Sequence, residues 1–328
     1  MAFLTGDWLG TPLWLWLVFM ATVLTLLAFD LGVLNRRDHE IGVRESLRLS
    51  AFYLAAGVLF GLWVWWQRGA ASAVDYFTGY LIEESLSLDN IFVISLIFTF
   101  LGIPRLYQHR VLFWGILGVI VLRALMIGLG VALVARYSWM LYIFGAFLIV
   151  TGVKLLFTVE DATEIGDSRV LAFLRRHLRV TPELHGHAFF VRAPHPRDPG
   201  RMALWCTPLF LALCMVETVD LIFAIDSVPA IFAITTDPYI VYTSNIFAIL
   251  GLRAMYFALA AVVHRFHYLK YALALVLVFI GAKIFLGDFV FGGKVPPWIS
   301  LSVTFTLLAG GVLFSLWKTR GEKGGSPP

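Results

Sequence analysis

The chain has 328 residues, 60% of them hydrophobic and only 14% charged, with a mean hydropathy of +0.85 and a formal net charge of +4. A soluble globular chain carries about 25% charged residues, so a water-soluble domain is excluded. The basic residues fall between apolar runs, which argues against a nucleic-acid partner. The composition defines an all-α polytopic membrane protein, a single membrane domain over residues 1–328.

Windows of about 20 apolar residues predict nine spans, near 8–33, 48–66, 75–101, 111–134, 138–157, 203–235, 240–263, 270–288 and 298–317. No short basic leader with a small-residue cleavage site is visible, so the first run reads as a spanning helix rather than a cleaved signal. The loops after the first, third, fifth and seventh spans, with the C-terminal tail, hold most of the lysines and arginines. On the opposite side fall only Arg68, Arg136 and Lys294. Positive charge marks the cytoplasmic face, which puts the N-terminus outside and the C-terminus inside.

The longest connection, 158–201, begins acidic, with Glu160, Asp161, Glu164 and Asp167. A basic amphipathic stretch follows from Val170 to Arg179, then His185, His187 and His195. It reads as a solvated cytoplasmic loop, with a regulatory metal site conceivable at the histidines. The alternation around His187 to Arg192 hints at a short hairpin. Cys206 and Cys214 are eight apart in one apolar run, about 12 Å on a helix, too far for a disulfide. They read as small buried hydrophobes.

The chain also carries an internal repeat. Spans three to five (75–157) resemble spans six to eight (203–288). Glu83 precedes Asp89-Asn90 as Asp220 precedes Asp226-Ser227. Leu122-Arg123-Ala124-Leu125-Met126 matches Leu252-Arg253-Ala254-Met255, and Gly152-Val153-Lys154 matches Gly281-Ala282-Lys283. Units of three spans enter the membrane from opposite sides. An inverted repeat of this kind is common in secondary transporters, with the substrate held near the midplane where the units meet.

The charged landmarks lie where lipid penalises them. A charge at the bilayer centre costs roughly 2.5–3.5 kcal/mol, and such a residue is by default a functional candidate. The embedded acids are Asp30, Glu83, Glu84, Asp89, Glu217, Asp220 and Asp226, and the embedded bases are Arg123, Lys154, Arg253 and Lys283. The acids outnumber the bases, and a divalent cation with one protonated carboxylate would balance the surplus. Glu217 and Asp220 are i,i+3 neighbours on one helix face. Pro229 cannot donate to the carbonyl of Ile225, which frees an acceptor beside Asp226 or simply kinks the helix. No histidine is expected within the core of a span. The remaining donors are carboxylates, Asn90, the hydroxyls of Ser87, Thr218 and Ser227, and backbone oxygens. This hard-oxygen set suits Mg²⁺, Ca²⁺ or Mn²⁺ over Zn²⁺ or Cu⁺. The bland alternative is a set of structural ion pairs, each acid neutralised by a base of its own repeat.

The same residues carry a family likeness. Thr78-Gly79-Tyr80-Leu81-Ile82-Glu83 with Ser85-Leu86-Ser87-Leu88-Asp89-Asn90-Ile91-Phe92-Val93 resembles the first signature of the TerC family, Alx-like branch. Ile222 through Ala233, continuing to Thr235-Thr236-Asp237-Pro238, resembles the second, and Asn245 to Phe257 extends it. The resemblance implies export of Mn²⁺ from the cytoplasm, with links to tellurite resistance, alkaline stress and metal loading of exported proteins. It places the transport acids at Glu83, Asp89, Glu217, Asp220 and Asp226, and Glu84 departs from its pattern.

The expectation is a bacterial inner-membrane carrier, not an enzyme. Its metal site is formed by Glu83, Asp89, Asn90, Glu217, Asp220, Asp226 and Ser227. Asp30, Glu84, Arg123, Lys154, Arg253 and Lys283 support it. No resident cofactor is expected: Mn²⁺ is cargo, and protons are the expected counter-ion. The alternative is an assembly or chaperone partner of the secretion machinery. An intramembrane aspartyl protease is disfavoured, because Gly287-Asp288 lacks the glycine that its motif needs at position 285. The chain also lacks a phosphate-binding loop of the ATPase kind.

Overall fold

The computed structural model describes residues 6–29, 42–137, 139–157, 169–195, 198–259, 269–290 and 296–321. Within these, the side chains at 87–89, 92, 169–170, 195, 198–201, 226, 269, 287–290, 297 and 319–321 lie outside the description. The chain forms an all-helical, multi-pass membrane protein. Six helical stretches among the described residues are long and apolar enough to cross a bilayer: Val43–Leu86, Arg105–Arg136, Met140–Phe157, Pro208–Phe232, Pro238–Leu259 and Trp298–Lys318.

A tiny hairpin, β1 (Asp7–Trp8) with β2 (Thr11–Pro12), precedes helix α1 (Leu13–Phe29). Helix α2 (Val43–Phe100) carries both the second and third predicted spans. Its two arms, 43–68 and 70–100, meet at Gly69, whose φ of 85° and ψ of 176° break the helix. Only glycine adopts that backbone region without strain, because any Cβ would clash. The sequence reading placed a loop at 67–74; the structure replaces it with a single residue.

Helices α3 (Arg105–Arg136) and α4 (Met140–Phe157) follow. The connection beyond them contains α5 (Arg169–His177), an antiparallel pair β3 (Phe190–His195) and β4 (Asp198–Cys206), and then α6 (Pro208–Phe232). The hairpin hinted at near His187 therefore exists, shifted along the chain to Phe190–Cys206. Its second strand occupies 203–206, which the hydropathy had assigned to a helix. Pro208 sets the helix start, where a missing N–H costs nothing. Leu171 and Leu174 of α5 pack with Ile97, Leu112 and Met215, tying the connection to the helices beneath it. Helices α7 (Pro238–Leu259), α8 (Leu269–Val290) and α9 (Pro297–Gly321) complete the bundle.

Helix α7 is the enclosed axis of the molecule: nearly all of it is buried, including Thr243, Ser244, Asn245 and Arg253. The packing partners cross over in a regular way. The α2 helix lies along α7, α3 along α6, and α4 along α8. The α4–α8 contact is backbone on backbone. A Cβ on Gly281 would come 2.5 Å from the carbonyl oxygen of Gly145, and one on Gly152 would come 2.7 Å from that of Ala274. Small residues at such crossings let helices associate in lipid, where van der Waals contact replaces the hydrophobic drive.

Candidate functional site

The second arm of α2 brings Glu83 into the protein interior, where its residue surface is 2% exposed. Helix α3 supplies Arg123, 1% exposed, and α6 supplies Asp220 and Ser227, both buried. The Arg123 Nη2 lies 2.9 Å from Glu83 Oε1, and its Nε lies 3.5 Å from Asp220 Oδ2. Its Nη1 donates to Ser227 Oγ at 2.6 Å. From α7, Asn245 Nδ2 donates to the other Glu83 oxygen, Oε2, at 2.9 Å. One guanidinium thus ties α3 to α2 and α6, and Glu83 extends the network to α7.

Helical period explains which residues meet. Seven positions advance a helix by almost two full turns, so Asn90 returns to the face of Glu83 and Ser227 to that of Asp220. Glu83, Asn90, Arg123 and Ser227 line one cavity of about 90 Å³, with Thr151 and Leu277 on its far wall. That volume exceeds the roughly 30 Å³ share of a single liquid water. Among the described residues, the Asn90 Oδ1 is buried and without a hydrogen-bond partner. So are Asn245 Oδ1, Glu84 Oε1 and Glu217 Oε2. Buried acceptors are ordinarily satisfied, and each orphan calls for an explanation.

Two further carboxylates flank this centre. Glu217 lies against Gly118 of α3, whose missing side chain leaves room for the carboxylate. Glu84 points toward Gly251 of α7, where a Cβ would stand 2.8 Å from Glu84 Oε1. In each case a glycine on one half of the chain makes space for an acid on the other.

The expected site residues are partly assembled. Glu83, Asn90, Asp220 and Ser227 come together, with Arg123 between the acids. The side chains of Asp89 and Asp226, and all of Asp30, lie outside the described residues. Among the described residues, no three His, Cys, Asp or Glu side chains cluster as metal ligands. Lys154 is exposed and Lys283 buried, and neither lines the cavity. The Thr218 hydroxyl is turned onto its own helix, donating to the Cys214 carbonyl at 2.7 Å. The ion pairing is not confined within each repeat, because Arg123 reaches Asp220 of the other half.

Two participants escaped the sequence reading. Asn245 is uncharged, so no charge in an apolar span marks it; an amide in an apolar run was the available signal. His109 contacts the Arg253 guanidinium, which also stacks 5.2 Å from the Phe113 ring centroid. Helix α3 begins at Arg105 rather than near 111, which places His109 in its second turn, close to the helix start.

A bundle of apolar helices closed around a buried, charge-paired polar centre is an integral membrane protein of the multi-pass class. The TerC integral membrane protein family model matches residues 68–323, and this chain belongs to that family. It is 50% identical over 311 residues to "Uncharacterized membrane protein STKORF319" of Myxococcus xanthus, covering 95% of this chain and 94% of the relative. It is 48% identical over 301 residues to an "Uncharacterized membrane protein" of Rickettsia bellii, covering 92% and 96%. It is 45% identical over 317 residues to "Putative membrane-bound redox modulator Alx" of Escherichia coli K12, covering 94% and 95%. No solved structure matches.

Proposed function

We propose that this chain is a secondary transporter that exports a divalent cation, Mn²⁺, from the cytoplasm across the bacterial inner membrane, in exchange for protons. The observation that carries this reading is the shared centre: Glu83 and Asp220, one from each half, meet at Arg123, and Glu83 and Arg123 line a cavity with Asn90, whose amide oxygen has no hydrogen-bond partner among the described residues. A hard-oxygen lining favours Mg²⁺, Ca²⁺ or Mn²⁺. The likeness to the TerC family directs the choice to manganese and to export.

The two halves act as inverted units, 75–157 and 203–288, that rock about this centre. Their packing supports the repeat: the first helix of each unit lies on the second helix of the other, and the third helices lie on one another. Gly152 with Ala274 and Gly281 with Gly145 are the same contact with the units exchanged. Charge bias in the loops supports an external N-terminus and a cytoplasmic C-terminus.

The test is Mn²⁺ flux in liposomes holding the purified chain and no partner. Asp89→Asn and Asp226→Asn should abolish it while the protein still inserts and stays folded. Wild-type rates in both variants would sink the site. The name of the Escherichia coli relative offers a second reading, a membrane-bound redox modulator. A purified chain that moves no Mn²⁺, yet shifts the thiol–disulfide balance of cells lacking it, would favour that role.

A further inference from the structure

We propose that Arg123 is a tethered counter-ion that the cargo must displace: its guanidinium and a divalent cation compete for Glu83 and Asp220. This rests on the cation-export reading and concerns how that same site is emptied and filled.

Both oxygens of Glu83 are already engaged, Oε1 by the guanidinium at 2.9 Å and Oε2 by Asn245 at 2.9 Å. Asp220 faces the Nε of the same guanidinium at 3.5 Å. A dication bound to these carboxylates would stand against a fixed positive charge inside a low-dielectric interior, where like charges repel strongly. One of the two must leave. The guanidinium has somewhere to go, because Arg123 itself lines the 90 Å³ cavity together with Asn90. Among the described residues Asn90 Oδ1 has no donor, and it would accept one from a displaced guanidinium.

The arrangement solves a problem that every carrier of this kind meets. Without cargo, paired carboxylates at membrane depth are costly to reorient. A guanidinium does not lose its proton in proteins, so it offsets one of the two negative charges without borrowing an ion from solution. The empty carrier can then return with the charge of these acids halved from within. Ser227 fits the same role: its hydroxyl accepts from Arg123 Nη1 and holds the guanidinium between the acids.

The experiment is calorimetric titration of the full-length purified chain with Mn²⁺ in detergent, for wild type, Arg123→Gln and Arg123→Lys, each shown to be folded and monodisperse. If the displaced state is a tenth or less of the population, removing the competitor tightens apparent binding by about tenfold or more. Arg123→Gln should therefore bind Mn²⁺ at least that much more tightly than wild type, while Arg123→Lys, which keeps the charge, should fall between them. Equal or weaker binding by folded Arg123→Gln is what a merely structural ion pair gives. That result overturns the displacement and leaves export standing. No Mn²⁺ binding by wild type or variant overturns both. Should Arg123→Gln fail to fold, infrared difference spectra of the unsubstituted protein with guanidinium-labelled arginine give the answer. Mn²⁺ binding should shift guanidinium bands, and binding that leaves them unmoved overturns the proposal.

Discussion

Asn245 of α7 donates its Nδ2 proton to Glu83 Oε2 at 2.9 Å, across the interface between α7 and the second arm of α2. Both residues are buried. Asn245→Leu keeps the volume and removes the donor, leaving a charged oxygen short of one bond. Loss of one partner from a buried pair costs about 1–3 kcal/mol. We expect a lower thermal midpoint in detergent, whereas Thr243→Val, whose hydroxyl donates only to its own helix at Tyr239 O, should change little.

Neighbouring glutamates should behave oppositely. Glu83→Gln takes from Arg123 its closer carboxylate and leaves only Asp220 at 3.5 Å, and removing one member of a buried charge pair costs up to about 3–5 kcal/mol. Among the described residues no cation pairs with Glu84, and its Oε1 is without a hydrogen-bond partner. Glu84→Gln should therefore leave stability within about 1 kcal/mol of wild type, in keeping with an acid whose charge is not paired. Chemical unfolding of the two single variants checks the contrast, and equal losses would contradict it.

The α4–α8 crossing should tolerate no side chain. A Cβ at Gly281 meets backbone carbonyl rather than a flexible tip, at 2.5 Å. Gly281→Val should destabilise by at least about 1–3 kcal/mol, the usual range for overpacking. Gly310 of α9 has nothing within 4 Å of the corresponding point, so Gly310→Ala should be neutral or slightly stabilising. Thermal midpoints of the two variants measured side by side distinguish a crossing from an open face.

Cys206 ends β4, outside the helical spans, and burial pushes its thiol pKa up. The thiolate is the reactive form, so the shift lowers the reactive fraction at neutral pH. In a Cys214→Ser background, iodoacetamide should label Cys206 more slowly than free cysteine at pH 8. The rate should keep climbing with pH beyond the point where free cysteine levels off. A rate equal to that of free cysteine at pH 8 would show the thiol unshifted.

Hydropathy alone located the helices because lipid demands long apolar runs, and it located Glu83 and Asp220 because lipid penalises charge. It could not see Gly69, whose effect depends on a torsion rather than on polarity. The span limit at 203 also failed for a physical reason. Ala203, Leu204, Trp205 and Cys206 are as apolar as a helix, but they pair with β3 as a strand. The acids of the centre were legible as candidates, and so were the amide of Asn90 and the hydroxyl of Ser227 that line its cavity. What the string of letters did not disclose was the cross-link. Only three-dimensional packing shows that Arg123 reaches an acid of the opposite half, and that Asn245 caps the other oxygen of Glu83.

The bend in α2 has a mechanical consequence. One residue, Gly69, couples the arm bearing Glu83 to the arm that precedes it, and Arg68 beside it clasps Asp237 at 2.7 Å, just ahead of α7. A swivel of that short should transmit torque instead of absorbing it. Tilting the arm that bears Glu83 would then lever the preceding arm, with the Arg68 clasp acting as a brake near the fulcrum.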